Sequence, residues 1–228
     1  MTQYEMPGLR ADNPQGWMAA IGLLFVLDHQ GKQAQLSWRQ FTPIIHGLSG
    51  QEVIETLCEY LNAGSQALNR LADLPRDPIK NKIALDFTAG RVNFVDVIDH
   101  MIQTVNERQI LSSLTEIWKN EDDEVSLGWD PLAVKQAATL AGEKAPDSAK
   151  HRTQLGAQWL AAESLVVTCP APNKLKRGYS WTTWQVPLDM EGVYSVVQAQ
   201  SSAWNGVRYC ANIGFSGNFK FFQPALQQ

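Results

Sequence analysis

Cysteine is scarce in this chain. Cys58, Cys169 and Cys210 are the three it has, an odd number, widely spaced and without a C-x-x-C step. That argues against a disulfide framework and against a cysteine zinc site, and favours a reducing, cytoplasmic setting. Positive charge is not in excess either: 19 Lys and Arg face 23 Asp and Glu, a formal net charge of -4. No global cationic field advertises nucleic acid, so any such binding must use a local patch. No apolar run reaches the roughly 20 residues a membrane helix needs. The first residues also lack the basic start and small-residue cleavage site of an export signal, so no membrane partner is expected.

Signatures of catalysis are missing as well. Of His29, His46, His100 and His151, no two share the i, i+4 face of an H-E-x-x-H metal site. Asp99 and His100 are adjacent, and neighbours on a helix point in different directions. "GFSGN" at 214–218 lacks the final glycine of a nucleophile elbow and reads as a glycine-rich turn. "GRVNF" at 90–94 lacks the second glycine and Lys-Ser/Thr ending of a P-loop. Regular βαβ alternation is absent too, which argues against a doubly wound nucleotide-binding fold. No catalytic residue, metal ligand or cofactor is assigned. An enzyme would need a site assembled only in the fold, from groups such as Asp99, His100 or His151.

What is present begins with a dense apolar run, "ADNPQGWMAAIGLLFVL" at 11–27. Asn13 ahead of Pro14 suits a helix start: Asn accepts from free first-turn amides, and Pro has no amide to leave unsatisfied. Trp17, Met18, Ile21, Leu24, Phe25 and Leu27 cover one broad face; Ala20, Leu23 and Val26 fill much of the other. A helix apolar nearly all round is a buried one, and Gly31 supplies its stop. Gly16 and Gly22 would let other backbone approach it closely.

Beyond it, "QAQLSW" alternates as a strand through Ala34, Leu36 and Trp38. Ser49 with Glu52 forms a capping box opening a helix to about Leu71, which "LPRDP" then breaks. "KIALDF" alternates again through Ile83, Leu85 and Phe87, and Phe94, Ile98, Met101 and Val105 repeat at helical spacing toward Trp118. The acidic "NEDDEV" reads as a solvated loop. Asp130-Pro131 predicts a helix ending near Gly142, and "EKAPDSAKHRTQ" a linker. "LGAQWLAAESL" and "MEGVYSVVQA" read as helices. "SWTTWQVPL" and "VRYCANIGF" read as strands, with an Asn205-Gly206 turn between. The expectation is a compact α+β protein built around a buried N-terminal helix. A helix-rich region spans 1–142, and a β-rich α+β lobe spans 153–228 and closes against it, within one body or as two.

One segment pairs charge with aromatics, "NKLKRGYSWTTW" at 173–184. Lys174, Lys176 and Arg177 are followed by Tyr179, Trp181 and Trp184. Cations neutralise phosphates, and aromatic faces stack on unpaired bases. Arg208 and Lys220 could join them if the last strands return alongside. A basic loop leading into a half-buried strand would have the same composition, with Trp181 serving the core.

Several segments together resemble accessory proteins encoded with type I-G (formerly I-U) CRISPR systems. "GLRADNPQGWMAAIGLLFVL" is similar to the family's opening, through Asn13, Pro14, Gly16, Trp17, Ala19, Gly22, Leu23 and Leu24. "LDFTAGRVNFVD" matches through Phe87, Gly90 and Phe94, and "WDPLAVKQAA" through Trp129, Asp130 and Pro131. "GAQWLAAESL" and "WTTWQVPL" match through Gly156, Ala157, Leu160, Ala161, Trp181, Trp184 and Pro187. Phe25 and Thr182-Thr183 depart from the family's pattern. The matches run in order over most of the chain. The resemblance implies a non-catalytic, large-subunit-like component, or an extension of the helicase-nuclease, in an antiviral defence system. Its implied partners are other effector proteins and guide RNA or target DNA. Hydrolase or nuclease activity, and protein interaction unrelated to nucleic acid, are the alternatives.

Overall fold

The computed structural model describes residues 2–133, 152–172, 174–175, 178–200 and 204–228. The predicted helix end near Gly142, most of the 143–154 linker, His151, Lys176 and Arg177 lie outside the described residues. Among those described, eight α-helices combine with three small antiparallel sheets, and the fold is α+β as expected.

The apolar run folds as predicted into α1, Pro14–His29, with thirteen of its sixteen residues buried. Asn13 caps it, accepting from the amides of Gln15 (3.0 Å) and Gly16 (3.3 Å). Gly31, at φ 71°, ends it. Before α1 lies β1 (Gln3–Glu5); after it come β2 (Gln35–Arg39) and β3 (Thr42–His46). β3 lies between β1 and β2, with Tyr4 and Leu36 both opposite Ile45. The outer edge of β2 is covered by the 184–188 segment: the Leu36 amide donates to the Leu188 carbonyl (2.7 Å) and that of Trp38 to the Trp184 carbonyl (2.8 Å).

The capping box of Ser49 and Glu52 opens α2, Gly50–Asn62. The single long helix expected there is interrupted. Gly64, at φ 95°, turns the chain, and a separate α3 spans Ala67–Leu71. The next helix also divides, into α4 (Phe94–Thr104) and α5 (Glu107–Thr115), because Asn106 and Gln109 form a second capping box. "KIALDF" is not a ladder strand. Ile83 makes one bridge, to Arg76, yet Ile83, Leu85 and Phe87 are buried as their alternation predicts. The acidic stretch is not merely solvated: Asp122 accepts from the Leu155 amide (2.7 Å) and the Gln109 side chain (2.9 Å).

Asp122 thereby holds the start of α6 (Leu155–Glu163), all nine residues of which are buried. α6 lies against α1 on one side and α5 on the other. Both contacts pass through glycine: a Cβ on Gly22 would collide with the Leu160 carbonyl, and one on Gly156 would sit 2.5 Å from the Gln109 carbonyl. The short α7 (Leu165–Thr168) follows. β4 (Tyr179–Thr182), α8 (Met190–Ala199) and β5 (Arg208–Ala211) come next, then β6 (Ile213–Ser216), β7 (Phe219–Phe222) and β8 (Leu226–Gln227). One sheet has the order β4-β5-β8 and the other is the β6-β7 hairpin, turned at Gly217 (φ 59°), where a glycine-rich turn is predicted. The core is continuous from α1 through α6 to these strands.

Two buried carboxylates organise this core. Glu163 accepts from the Tyr60 hydroxyl (3.0 Å), the Ser65 hydroxyl, the Trp159 indole (3.1 Å) and Arg70 Nη1 (3.0 Å). Burial pushes its pKa up, against the pull of those donors. Arg70 also lies 4.5 Å over the Phe25 ring. Asp130 is fully buried and takes only neutral donors: Asn13 (2.8 Å), Asn120 (2.9 Å) and the Leu132 amide (2.9 Å). It anchors the cap of α1. The helix predicted to start at Asp130-Pro131 begins as one 3-10 turn, Pro131–Ala133.

Burial raises the pKa of Asp130, only partly offset by those donors. The sign follows from linkage. An acid whose folded pKa lies above its unfolded value contributes stability below the unfolded pKa, near 4 for Asp. That contribution is lost as pH rises through the folded value. Asp130→Asn removes the titration. Its oxygen keeps the Asn13 and Leu132 donors, and its amide can donate to Asn120 once that amide flips. Asn120 Oδ1 has no hydrogen-bond partner among the described residues. Chemical denaturation as a function of pH should show wild type losing stability relative to Asp130→Asn from about pH 4 upward. Parallel profiles would reject this account of Asp130.

Candidate nucleic-acid interface

Of the charged and aromatic segment singled out in the sequence, Lys174, Leu175 and residues 178–182 form one wall of a cleft. α7 ends at Cys169-Pro170, where proline cannot continue the helix. Lys174 closes a turn through its amide on the Ala171 carbonyl (2.9 Å), and the Gly178 amide returns to Leu175 (3.1 Å). Gly178 sits at φ 96°, and a Cβ there would lie 2.8 Å from the Ala211 carbonyl, so glycine lets β4 start beside β5. The cleft has a volume of about 1140 Å³ and runs between this wall, the end of α7, the last turns of α8 and residues 73–75, where Asp73 is an exposed carboxylate.

The aromatic side chains of that segment do not line its opening. Tyr179 and Trp184 are buried, 4% and 0% exposed, and Trp181 is buried with them. Each spends its polar atom on a main-chain carbonyl: Tyr179 on Thr168 (2.9 Å), Trp181 on Ala11 (2.8 Å), Trp184 on Leu36 (2.7 Å). Trp17 reaches back from α1 to Thr182 (2.9 Å). The Trp17, Tyr179 and Trp181 ring centroids lie 5.7 to 6.2 Å apart and form the closed floor of the cleft. Base stacking by Tyr179 or Trp184 does not fit this placement. Period-two alternation along β4 turns Tyr179 and Trp181 to the core, and Trp184, beyond the strand, is buried along the edge of β2.

The described cations are not gathered into one patch. Lys174 is exposed at the cleft. Arg208 is exposed but sits opposite Thr182, at the far end of the β4-β5 ladder from Gly178. That is roughly 13 Å at about 3.3 Å per residue. Lys220 belongs to β7 in the other sheet, where its amide faces the Phe87 carbonyl. Lys174 is therefore the described cation that the cleft presents.

Sequence reasoning missed the opposite wall, which α8 supplies. Asp189 caps this helix through the Gly192 amide (2.9 Å). Val193 and Val196 are buried, which leaves Tyr194 and Gln198, four residues apart, on the outer face. Both line the cleft, with Gln200 just beyond. The signal was legible in "VYSVVQ": its valines identify the inward face. Gln200, in the left-handed region at φ 47°, donates from its amide to the Ser180 carbonyl (3.2 Å) across the cleft.

Nucleophilic and acid-base candidates fare differently. Cys169 lines the cleft, but burial pushes its thiol up to about 11, so it stays protonated near neutrality. Asp99 and His100 do not act together: Asp99 accepts from Gln103 (3.0 Å), whereas His100 Nε2 pairs with Glu124 (3.2 Å). His46 contacts Ser37 (2.8 Å) in the first sheet, its pKa lowered by burial and by Arg39. Among the described residues, no three His, Cys, Asp or Glu side chains gather as a metal would require. Also among them, no helix is long and apolar enough to cross a membrane.

Compared with protein-family models, curated proteins and solved structures, the chain matches none.

Proposed function

We propose that this protein is a non-catalytic, cytoplasmic component of a CRISPR-type antiviral system. It binds a nucleic-acid strand in the cleft beside Lys174 and holds it against partner effector subunits. One observation carries the proposal: of the segment selected for its charge, 173–184, Lys174, Leu175 and residues 178–182 line the cleft, with Lys174 exposed in it. The ordered resemblance of five segments to type I-G accessory proteins supplies the biological setting. The chemistry is scaffolding. A lysine ammonium neutralises a backbone phosphate without reading sequence, while amide and hydroxyl groups on the cleft walls contact the sugar or base.

Fluorescence anisotropy with labelled single-stranded RNA and DNA at low and moderate salt tests this. Binding should weaken as salt rises, and Lys174→Glu should weaken it further. The variant should also flatten the salt dependence by roughly 0.7 in log–log slope, the share of one phosphate contact on a single strand. Absence of binding to either strand at low salt, by a protein that also captures no effector subunits or guide RNA, would overturn the proposal.

A further inference from the structure

Among the aromatic rings of the cleft, one is open. Trp17, Tyr179 and Trp181 are 1%, 4% and 2% exposed, whereas Tyr194 is half exposed. Its ring packs on no other aromatic, and its hydroxyl makes no hydrogen bond, among the described residues. Val193 and Val196 anchor the helix behind it, so the ring stands on a rigid element rather than a loop tip. Gln198, one turn on, adds an exposed amide with both donor and acceptor, and the Gln200 oxygen accepts no hydrogen bond among the described residues while its nitrogen holds Ser180. Lys174 lies on the wall it forms with Leu175 and residues 178–182.

We propose that Tyr194 is the stacking face of this cleft, and that the cleft therefore takes unpaired nucleotides in preference to a duplex. The proposal rests on the nucleic-acid reading above and goes beyond it, by naming the ligand class and the residue that selects it. A ring stacks on a base only when the base face is free, and base pairs within a duplex cover their faces with neighbours. The arrangement joins the two parts of a single-strand site: a cation for the backbone and a planar ring for the base, with amides beside the ring for the base edge. It also relocates the aromatic contribution. The rings expected to stack from sequence, Tyr179 and Trp184, belong to the core, and the ring with an open face comes from the other wall.

The test compares wild type, Tyr194→Phe and Tyr194→Leu for anisotropy with labelled oligouridine, the matching DNA strand and an RNA duplex of equal length. Circular dichroism melting confirms equal folding, as an exposed site allows. Wild type should prefer either single strand to the duplex. Tyr194→Phe should retain that affinity and Tyr194→Leu should lose roughly five- to a hundredfold, the range for one stacked base. If wild type binds single strands and Tyr194→Leu binds them equally well, or if the duplex binds as tightly, the stacking proposal is overturned while the nucleic-acid reading stands. If wild type binds no strand, both fall together.

Discussion

Gly22→Ala should destabilise the protein by about 3 kcal/mol or more, the upper range for overpacking a close contact. The sign makes this a sharp test. In an ordinary helix interior the same change gains up to about 1 kcal/mol, because alanine gives up less backbone freedom on folding. Here the new methyl would meet the Leu160 carbonyl, with the Ser164 amide nitrogen 3.2 Å away. The obstructing atoms are main chain, so shortening the Leu160 side chain gives no relief. α1 and α6, both buried, would have to separate along their shared length. Urea denaturation should show a lower midpoint at similar slope, and Gly22→Ala combined with Leu160→Ala should be less stable still. A neutral or stabilising Gly22→Ala would mean that the helices do not cross as closely as described.

That crossing was partly legible. The glycines of the first helix suggested close backbone approach, and the two glycines that matter have different neighbours: Gly16 meets Arg10, and Gly22 meets Leu160. A pattern of residues identifies which surface is tight, but not which of the later segments will press on it. The same division appears elsewhere. Alternation in "KIALDF" correctly marks Ile83, Leu85 and Phe87 as interior, yet the segment pairs with no ladder, because strand pairing depends on a partner brought from elsewhere. β1 and β3 escaped notice for a related reason. Gln3–Glu5 is only three residues, and Pro43 weakens the signal of Thr42–His46. The divided helices were more visible than the reading allowed. Apolar spacing ran on through Gly64 and Asn106, but glycine and a capping residue are stop and start signals that should outrank periodicity.

The candidate site follows the same rule. Part of the local sequence 173–184 lines a cleft, but charge and aromaticity alone could not say which side chains face outward. The β4 pairing answers that for Tyr179 and Trp181, and the contact with β2 for Trp184; each turns inward and bonds to backbone more than ten residues away. Tyr194 comes from a helix that looked unremarkable in charge. A cleft made by two segments is a property of their meeting, and neither segment encodes it alone.

Glu163→Ala should be the most damaging of the side-chain truncations, at about 3–5 kcal/mol, the cost of removing one partner from a buried ion pair. The carboxylate is fully buried at the end of α6, and four donors depend on it: three from elsewhere, Tyr60 of α2, Ser65 of the α2–α3 turn and Arg70 of α3, and Trp159 one turn back in α6. Truncation strands the Trp159 indole and leaves the Arg70 guanidinium, only 18% exposed, without its counter-charge. Gln at this position keeps the volume but replaces one acceptor oxygen with a donor and removes the charge facing Arg70, so Glu163→Gln should also destabilise, by less. Removing Tyr60's hydroxyl alone, in Tyr60→Phe, deletes one donor to Glu163 and the acceptor of the Gln66 amide and Arg70, but leaves the charge pair, and should cost about 1–2 kcal/mol. The decisive comparison is the double variant Glu163→Leu with Arg70→Met. An apolar pair removes the unpaired charge along with the acceptor, so it should recover much of the loss seen with Glu163→Ala. Urea unfolding of the four variants measures the series. A Glu163→Ala protein as stable as Tyr60→Phe would show that this carboxylate does not join α6 to the α2–α3 turn, and that apolar packing between α1 and α6 is enough to hold the centre of the fold.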